Sequence, residues 1–145
     1  MNKTIHNSLN YLTHLGSLYV YLVILLLLYL FNQTFLVTAL VLALIISYTI
    51  AVPIRIFYFK DRPKKQTYTN LITKISAASF PSIHALRVSL LATIFSLYFK
   101  NLYFTFTSIL VVLLICYSRV YLKKHFVTDV VVGCLFGLMI GLIWI

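Results

Sequence analysis

Apolar residues run through this chain in long unbroken stretches. Between Lys3 and Arg55 there is no Asp, Glu, Lys or Arg, a length about twice the roughly 20 residues that one helix needs to cross the hydrocarbon. Two spans fit there, over about Tyr11 to Phe31 and Phe35 to Ile54, with Asn32 and Gln33 as a tight turn between them. A third is expected from Pro81 and Ser82 to about Lys100, a fourth from Leu102 to Tyr117, and a fifth from about Phe126 to the C-terminus. Runs such as Val23-Ile24-Leu25-Leu26-Leu27-Leu28 lack the in–out alternation of barrel strands. The expected fold class is therefore all-α: a polytopic transmembrane helical bundle of about five spans, one domain over residues 1–145, with residues 1–10 lying at the interface. Only Lys3 precedes the first apolar stretch, which runs on too far for a signal peptide and reads as a retained anchor.

Composition strengthens the membrane reading, with 62% hydrophobic residues and a mean hydropathy of +1.01. An integral multi-pass cell membrane protein is expected. The net charge of +10 comes from 12 Lys and Arg against two acids, Asp61 and Asp129, which calls for an anionic partner. Because the basic residues collect between apolar spans, lipid phosphate is the nearer anion, and nucleic acid is not expected. Cys116 and Cys134 sit inside apolar spans without metal-ligand spacing, so neither zinc nor a disulfide is indicated. Gly133, Gly137 and Gly141 recur every four residues and form one flat stripe on the last span. Such a stripe admits another helix closely, either within the monomer or, as the alternative, across a homodimer.

Ionisable residues near hydrocarbon cost free energy and are candidates for function. Helix counting brings three clusters of them to one membrane side. The first is the basic loop from Arg55 to Lys74, where Arg55 and Arg62-Pro63 present two guanidiniums suited to forking onto phosphate oxygens. Taken alone, this cluster reads first as a positive membrane flank binding lipid headgroups. The second is Pro81-Ser82-Ile83-His84, a helix start whose free N–H groups and Ser hydroxyl suit an anion. In the third, Ser118-Arg119 precedes His125 and Asp129, which fall at i and i+4 if a helix begins near His125. Asp129 could then hold one imidazole nitrogen and leave the other as an aimed nucleophile.

Together these clusters resemble the type 2 phosphatidic acid phosphatase superfamily, which is related in fold to vanadium haloperoxidases. Its signature, Lys-x6-Arg-Pro, Pro-Ser-Gly-His and Ser-Arg-x5-His-x3-Asp, is met by Arg55-x6-Arg62-Pro63, Pro81-Ser82-Ile83-His84 and Ser118-Arg119-x5-His125-x3-Asp129 over residues 55–145. The resemblance implies that His125 attacks phosphorus, Asp129 orients it and His84 protonates the leaving oxygen. Arg55, Arg62, Ser82, Ile83 and Arg119 would bind the phosphate, with no metal and no cofactor. Arg55 replaces the family lysine and keeps its charge. Ile83 replaces a glycine, which raises the question of positive φ and of crowding at the anion.

The implied function is a metal-independent phosphatase acting on a lipid phosphate or diphosphate, either a prenyl diphosphate or a phosphatidate-like lipid, through a phosphohistidine. Alternatives are a lipid phosphotransferase on the same fold and a catalytically weak protein that binds anionic lipid. Charge counting and resemblance disagree on which side the site faces. Without Arg55, Arg62 and Arg119, the site side still holds eight basic residues against Lys100 on the other, which argues for the cytoplasm. Many family members instead work outside. The remaining lysines flank the phosphate motifs, where attraction to headgroups also explains them, so an extracytoplasmic site is expected.

Overall fold

The structure is a computed structural model that describes residues 3–144; expectations for Met1, Asn2 and Ile145 lie outside the described residues. Seven helices follow one another: α1 (Lys3–His14), α2 (Leu18–Leu30), α3 (Thr34–Phe57), α4 (Leu71–Ala77), α5 (Ile83–Phe99), α6 (Leu102–Tyr121) and α7 (Val127–Leu142). No strand occurs among the described residues, as the long apolar runs require.

Each expected span is a helix. Two of them, α3 and α6, are long and apolar enough to cross a membrane, and a third crossing exists if the bent pair α1 and α2 counts as one. The 17 residues of α5 and 16 of α7 lie at or just under the short limit of a spanning helix. Both start at the site end of the bundle, where chain that could extend them is used for loops. The first span begins later than its hydropathy suggests: the axis bends by 44° between α1 and α2. The break falls at Gly16 and Ser17, where the Ser17 hydroxyl accepts from Val20 N–H at 3.3 Å and caps α2. Residues 3–14 form a separate helix, α1. Asn32 takes the left-handed conformation (φ 57°) in the turn into α3, a turn residue type that tolerates it.

The outer faces of these helices are greasy. Leu102, Tyr103, Phe106 and Leu113 of α6, for example, are all more than half exposed, the surface expected of a protein whose solvent is lipid. Inside, Tyr21, Leu36, Leu40, Leu90, Ile94 and Ile140 form a buried cluster. The Tyr21 hydroxyl donates to the Leu40 carbonyl at 2.8 Å and is thereby satisfied within the core.

The glycine stripe is used within the monomer. A Cβ at Gly133 would lie 2.5 Å from the Ser82 carbonyl oxygen, and one at Gly137 would lie 2.3 Å from that of Leu86. These contacts press α7 directly onto the α5 backbone, whereas Gly141 packs against the Thr93 side chain, whose Cβ would lie 2.7 Å from an added Cβ. Gly133, Gly137 and Gly141 are buried in that seam, so they offer no face to a second copy, and the homodimer alternative loses its basis. Cys116 and Cys134 approach to 3.3 Å between α6 and α7 as free thiols, a meeting that their sequence spacing did not signal.

The candidate active site

Close packing of α5 on α7 fixes the two histidine-bearing segments against each other. The Ser82 N–H donates to the Asp129 carbonyl at 2.9 Å, stitching the start of α5 to the first turn of α7. The basic loop is tied in by Ser79 N–H to the Lys60 carbonyl (2.8 Å) and Lys64 N–H to the Lys123 carbonyl (3.0 Å). The three sequence clusters therefore converge at one end of the bundle.

His125 is buried, and its Nδ1–H donates to the Ser79 carbonyl at 2.7 Å. That bond places the proton on Nδ1 and leaves the Nε2 lone pair free. Here the structure corrects the sequence reading. Asp129 Oδ2 stands 4.0 Å from Nδ1, too long for the direct hydrogen bond expected of it. The helix begins at Val127, two residues after His125, so the carboxylate turns back on its own first turn and accepts from Phe126 N–H at 2.9 Å. Its other partners are Lys60 Nζ at 2.6 Å and the Thr128 hydroxyl at 3.4 Å on Oδ1, and the Ser79 hydroxyl on Oδ2. Ser79 thus links the two: its hydroxyl donates to Asp129 while its carbonyl holds His125.

Three guanidiniums from the motifs surround this end, and each is braced on its outer nitrogens. Arg55 donates to the Ile75 and Pro81 carbonyls at 3.0 and 2.7 Å, Arg62 to the Ser76 carbonyl at 2.6 Å, and Arg119 to the Thr13 hydroxyl at 2.9 Å. In all three, Nε is buried with no protein partner among the described residues, and the buried Ser82 hydroxyl is likewise unpartnered. Buried donors without acceptors are costly, and four of them gathered at one end of the fold are donors that an oxygen-rich anion could satisfy. Burial alone pulls Arg62 below the usual arginine range. Lys124 is lowered by burial and then by the neighbouring charges of Arg119 and Arg62.

His84, on the first turn of α5, is within electrostatic reach of Arg119, Arg87, His125 and Lys124. Gly16 covers it from the α1–α2 turn: a Cβ there would lie 3.3 Å from both Cβ and Cδ2 of His84. Ile83 is the first helical residue of α5 and is not among the positive-φ residues, which are Asn32, Lys100 and Lys123. Its backbone accordingly does not call for glycine, and the bulk of its side chain is what separates it from glycine. The chain thus brings together all eight residues that the motifs nominate: Arg55, Arg62, Ser82, Ile83, His84, Arg119, His125 and Asp129.

Sequence reasoning missed Ser79, Lys60 and Thr13. Lys60 was one of several lysines in a basic run, and Ser79 acts partly through its backbone. Thr13 reaches Arg119 from a helix far away in sequence.

The PAP2 superfamily model matches residues 36–145. A lipid A 4'-phosphatase of Porphyromonas gingivalis is 40% identical over 62 residues, 43% of this chain and 26% of that protein; the chain thus matches about a quarter of that relative's length. The crystal structure of Aquifex aeolicus LpxE superposes with a TM-score of 0.82 at 27% identity, covering 99% of this chain and 87% of that one.

Burial, followed by the charges of Arg119 and Arg62, pushes His125 down from 6.5 to about 3, so the imidazole is neutral in the folded protein at neutral pH. Between those values the unfolded chain holds a proton that the folded chain refuses, and stability falls as pH drops through the window. Thermal unfolding in detergent should show Tm falling from pH 6.5 toward 3, with a shallower fall in His125→Gln. Equal slopes would mean that His125 is not held neutral by its surroundings.

Proposed function

The chain belongs to the PAP2 superfamily, and from that premise we propose that it is a metal-independent lipid phosphatase working through a phosphohistidine on His125. The observation that carries the reading is the set of buried, unpartnered donors on Arg55, Arg62, Arg119 and Ser82 beside a neutral, tautomer-fixed imidazole. Guanidinium forks and a helix start are the groups that stabilise charge on the equatorial oxygens of a transferring phosphoryl group.

In the proposed reaction, His125 Nε2 attacks phosphorus in line while the guanidiniums hold the oxygens. The P–O bond to the lipid breaks, and the leaving oxygen takes a proton from His84. Water then attacks the phosphohistidine, with His84 receiving a proton, and inorganic phosphate leaves. Asp129 supports the charge that develops on His125 through Ser79, and Lys60 holds Asp129 in place. A lipid substrate is favoured by an apolar groove of about 520 Å³ between α5, α6 and α7, lined by Val112, Cys116, Val130, Cys134 and Leu135. Its lining takes in Val130, the residue next to Asp129, and reaches Leu142 at the far end of α7, a run along which lipid tails could lie while the headgroup reacts.

An extracytoplasmic site remains our reading. Lys60 binds Asp129 and Lys124 reaches Asn10, so these two have roles in the site and carry less weight as signals of topology. In a chain lacking Cys116 and Cys134, a cysteine at position 65 should react with a membrane-impermeant maleimide in intact cells, and one at position 101 should not. The reverse pattern would put the site inside.

Purified protein in detergent with EDTA should release phosphate from lipid phosphates. His125→Ala should lose on the order of 10³-fold or more, whereas Asp129→Asn keeps residual turnover because it removes support and not the nucleophile. Ile83→Gly should keep or raise the rate. An active His125→Ala variant would overturn the assignment.

A further inference from the structure

The chain has four arginines, Arg55, Arg62, Arg87 and Arg119, and the groups that brace them differ in kind. Arg55 is held by the Ile75 and Pro81 carbonyls, Arg62 by the Ser76 carbonyl and Arg87 by the Ile83 carbonyl. Any residue supplies a backbone carbonyl, so these braces belong to the fold. Arg119 is held by a side chain: its Nη1–H donates to the Thr13 hydroxyl at 2.9 Å, across 106 residues of sequence. Thr13 sits in the last turn of α1 and is 2% exposed. Being β-branched, it has few χ1 rotamers inside a helix, so its hydroxyl is a fixed point.

The backbone of Arg119 is fixed independently. Its carbonyl accepts from Lys124 N–H at 3.1 Å and from His125 N–H at 3.2 Å, which ties it to the residue that carries the nucleophile. What remains free is the long side chain, whose ordering is entropically unfavourable, and Thr13 holds that chain at its tip. The direction of the bond matters. In a planar guanidinium Nη1 lies on the Cδ side, so holding Nη1 leaves the other edge, Nε and Nη2, as a fork. On that edge, Nε is buried without a partner among the described residues. The acceptor is also uncharged. Neither of the chain's two acids pairs with Arg119, since Asp129 is taken by Lys60 and Asp61 by Lys65. A hydroxyl orients the guanidinium and leaves its charge available to an anion, whereas a carboxylate at the same place would cancel it. Thr13 reaches the site a second way: its carbonyl accepts from Gly16 N–H at 3.2 Å, in the turn that packs on His84.

We propose that Thr13 is a positioning residue for phosphoryl transfer: its neutral hydroxyl holds Arg119 so that the Nε–Nη2 edge forks onto the phosphoryl oxygens with its charge intact. The inference rests on the proposed function and adds to the site a residue of α1, outside all three motifs and outside residues 36–145 that the PAP2 model matches. Thr13 acts through Arg119 and carries out no chemistry of its own. A fork aimed in advance needs no reorganisation as charge builds on the equatorial oxygens. The brace therefore favours the transition state over the bound ground state, and its loss lowers kcat more than it raises KM.

The test uses the full chain in detergent, with phosphate release from phosphatidate and a prenyl diphosphate as one readout and thermal stabilisation by orthophosphate as the other. Thr13→Val, which keeps the shape and removes the acceptor, should lose about tenfold in kcat/KM, mostly in kcat, the scale of one charge-assisted hydrogen bond. Thr13→Ser keeps the hydroxyl and should recover most of that loss. Thr13→Asp separates positioning from structure. It gives Arg119 a stronger acceptor, so without anion it should melt above Thr13→Val, yet its turnover and its orthophosphate stabilisation should fall below those of Thr13→Val. A purely structural Thr13 predicts the opposite, with activity following melting temperature. Wild-type kcat/KM in Thr13→Val, or a Thr13→Asp variant more active than Thr13→Val, would overturn the proposal. A wild type that acts on neither lipid would defeat the proposed function instead, and the orthophosphate series would still decide for Thr13, with no stabilisation of wild type, or stabilisation undiminished in Thr13→Asp, counting against it. Should Thr13→Val not fold, Thr13→Asp measured against wild type and Thr13→Ser decides alone.

Discussion

Positive charge without a protein counter-charge governs one end of this molecule. Arg55, Arg87 and Arg119 are buried and Arg62 is partly so, yet no side-chain carboxylate lies within ion-pair distance of any of them. Backbone carbonyls and the Thr13 hydroxyl brace their outer nitrogens without neutralising them. Mutual repulsion and desolvation make such a cluster unfavourable on its own. The fold tolerates it because the seam between α5 and α7, where glycine lets backbone meet backbone, fixes both walls of the site. Stability held in that seam sustains an arrangement that, on the proposed function, becomes favourable once a phosphate enters it.

Around that cluster the histidine is set indirectly. Where the sequence suggests a two-membered His–Asp pair, the structure has a relay: Lys60 and Phe126 N–H hold Asp129, Asp129 accepts from Ser79, and Ser79 presents its carbonyl to His125. Each link removes a rotational freedom, so His125 is oriented by groups that come from the basic loop, from the segment before α5 and from α7. Reorganisation during reaction is thereby small, which is where preorganised sites gain most. The same arrangement explains why α1 belongs to the site despite its distance in sequence: Thr13 and Asn10 hold Arg119 and Lys124, and Gly16 closes over His84.

Much of the architecture was legible in the chain because bilayer solvation demands long apolar runs, and such runs are visible without knowing any contact. The motif residues were legible for a related reason, since charges near hydrocarbon are rare and theirs have fixed spacings. What escaped was carried by partners distant in sequence. Ser79 is 46 residues from His125 and 50 from Asp129, and it works partly through a carbonyl that every residue has. The fifth span was expected from about Phe126, next to the observed start at Val127, but that boundary did not reveal that the Asp129 carboxylate turns back to Phe126 N–H instead of reaching the imidazole. Arg87 was visible as a charge in an apolar span, but only the structure shows that it is buried and lacks an acid.

The central claim is that His125 carries the phosphoryl group between lipid and water. Its most direct test is to mix the protein with excess radiolabelled lipid phosphate, quench in base within the first turnovers and map the label by peptide mass spectrometry. The account predicts an alkali-stable, acid-labile phosphate on the peptide holding His125, present at steady state and gone when substrate is exhausted. Sustained phosphate release with no label on His125 would contradict it.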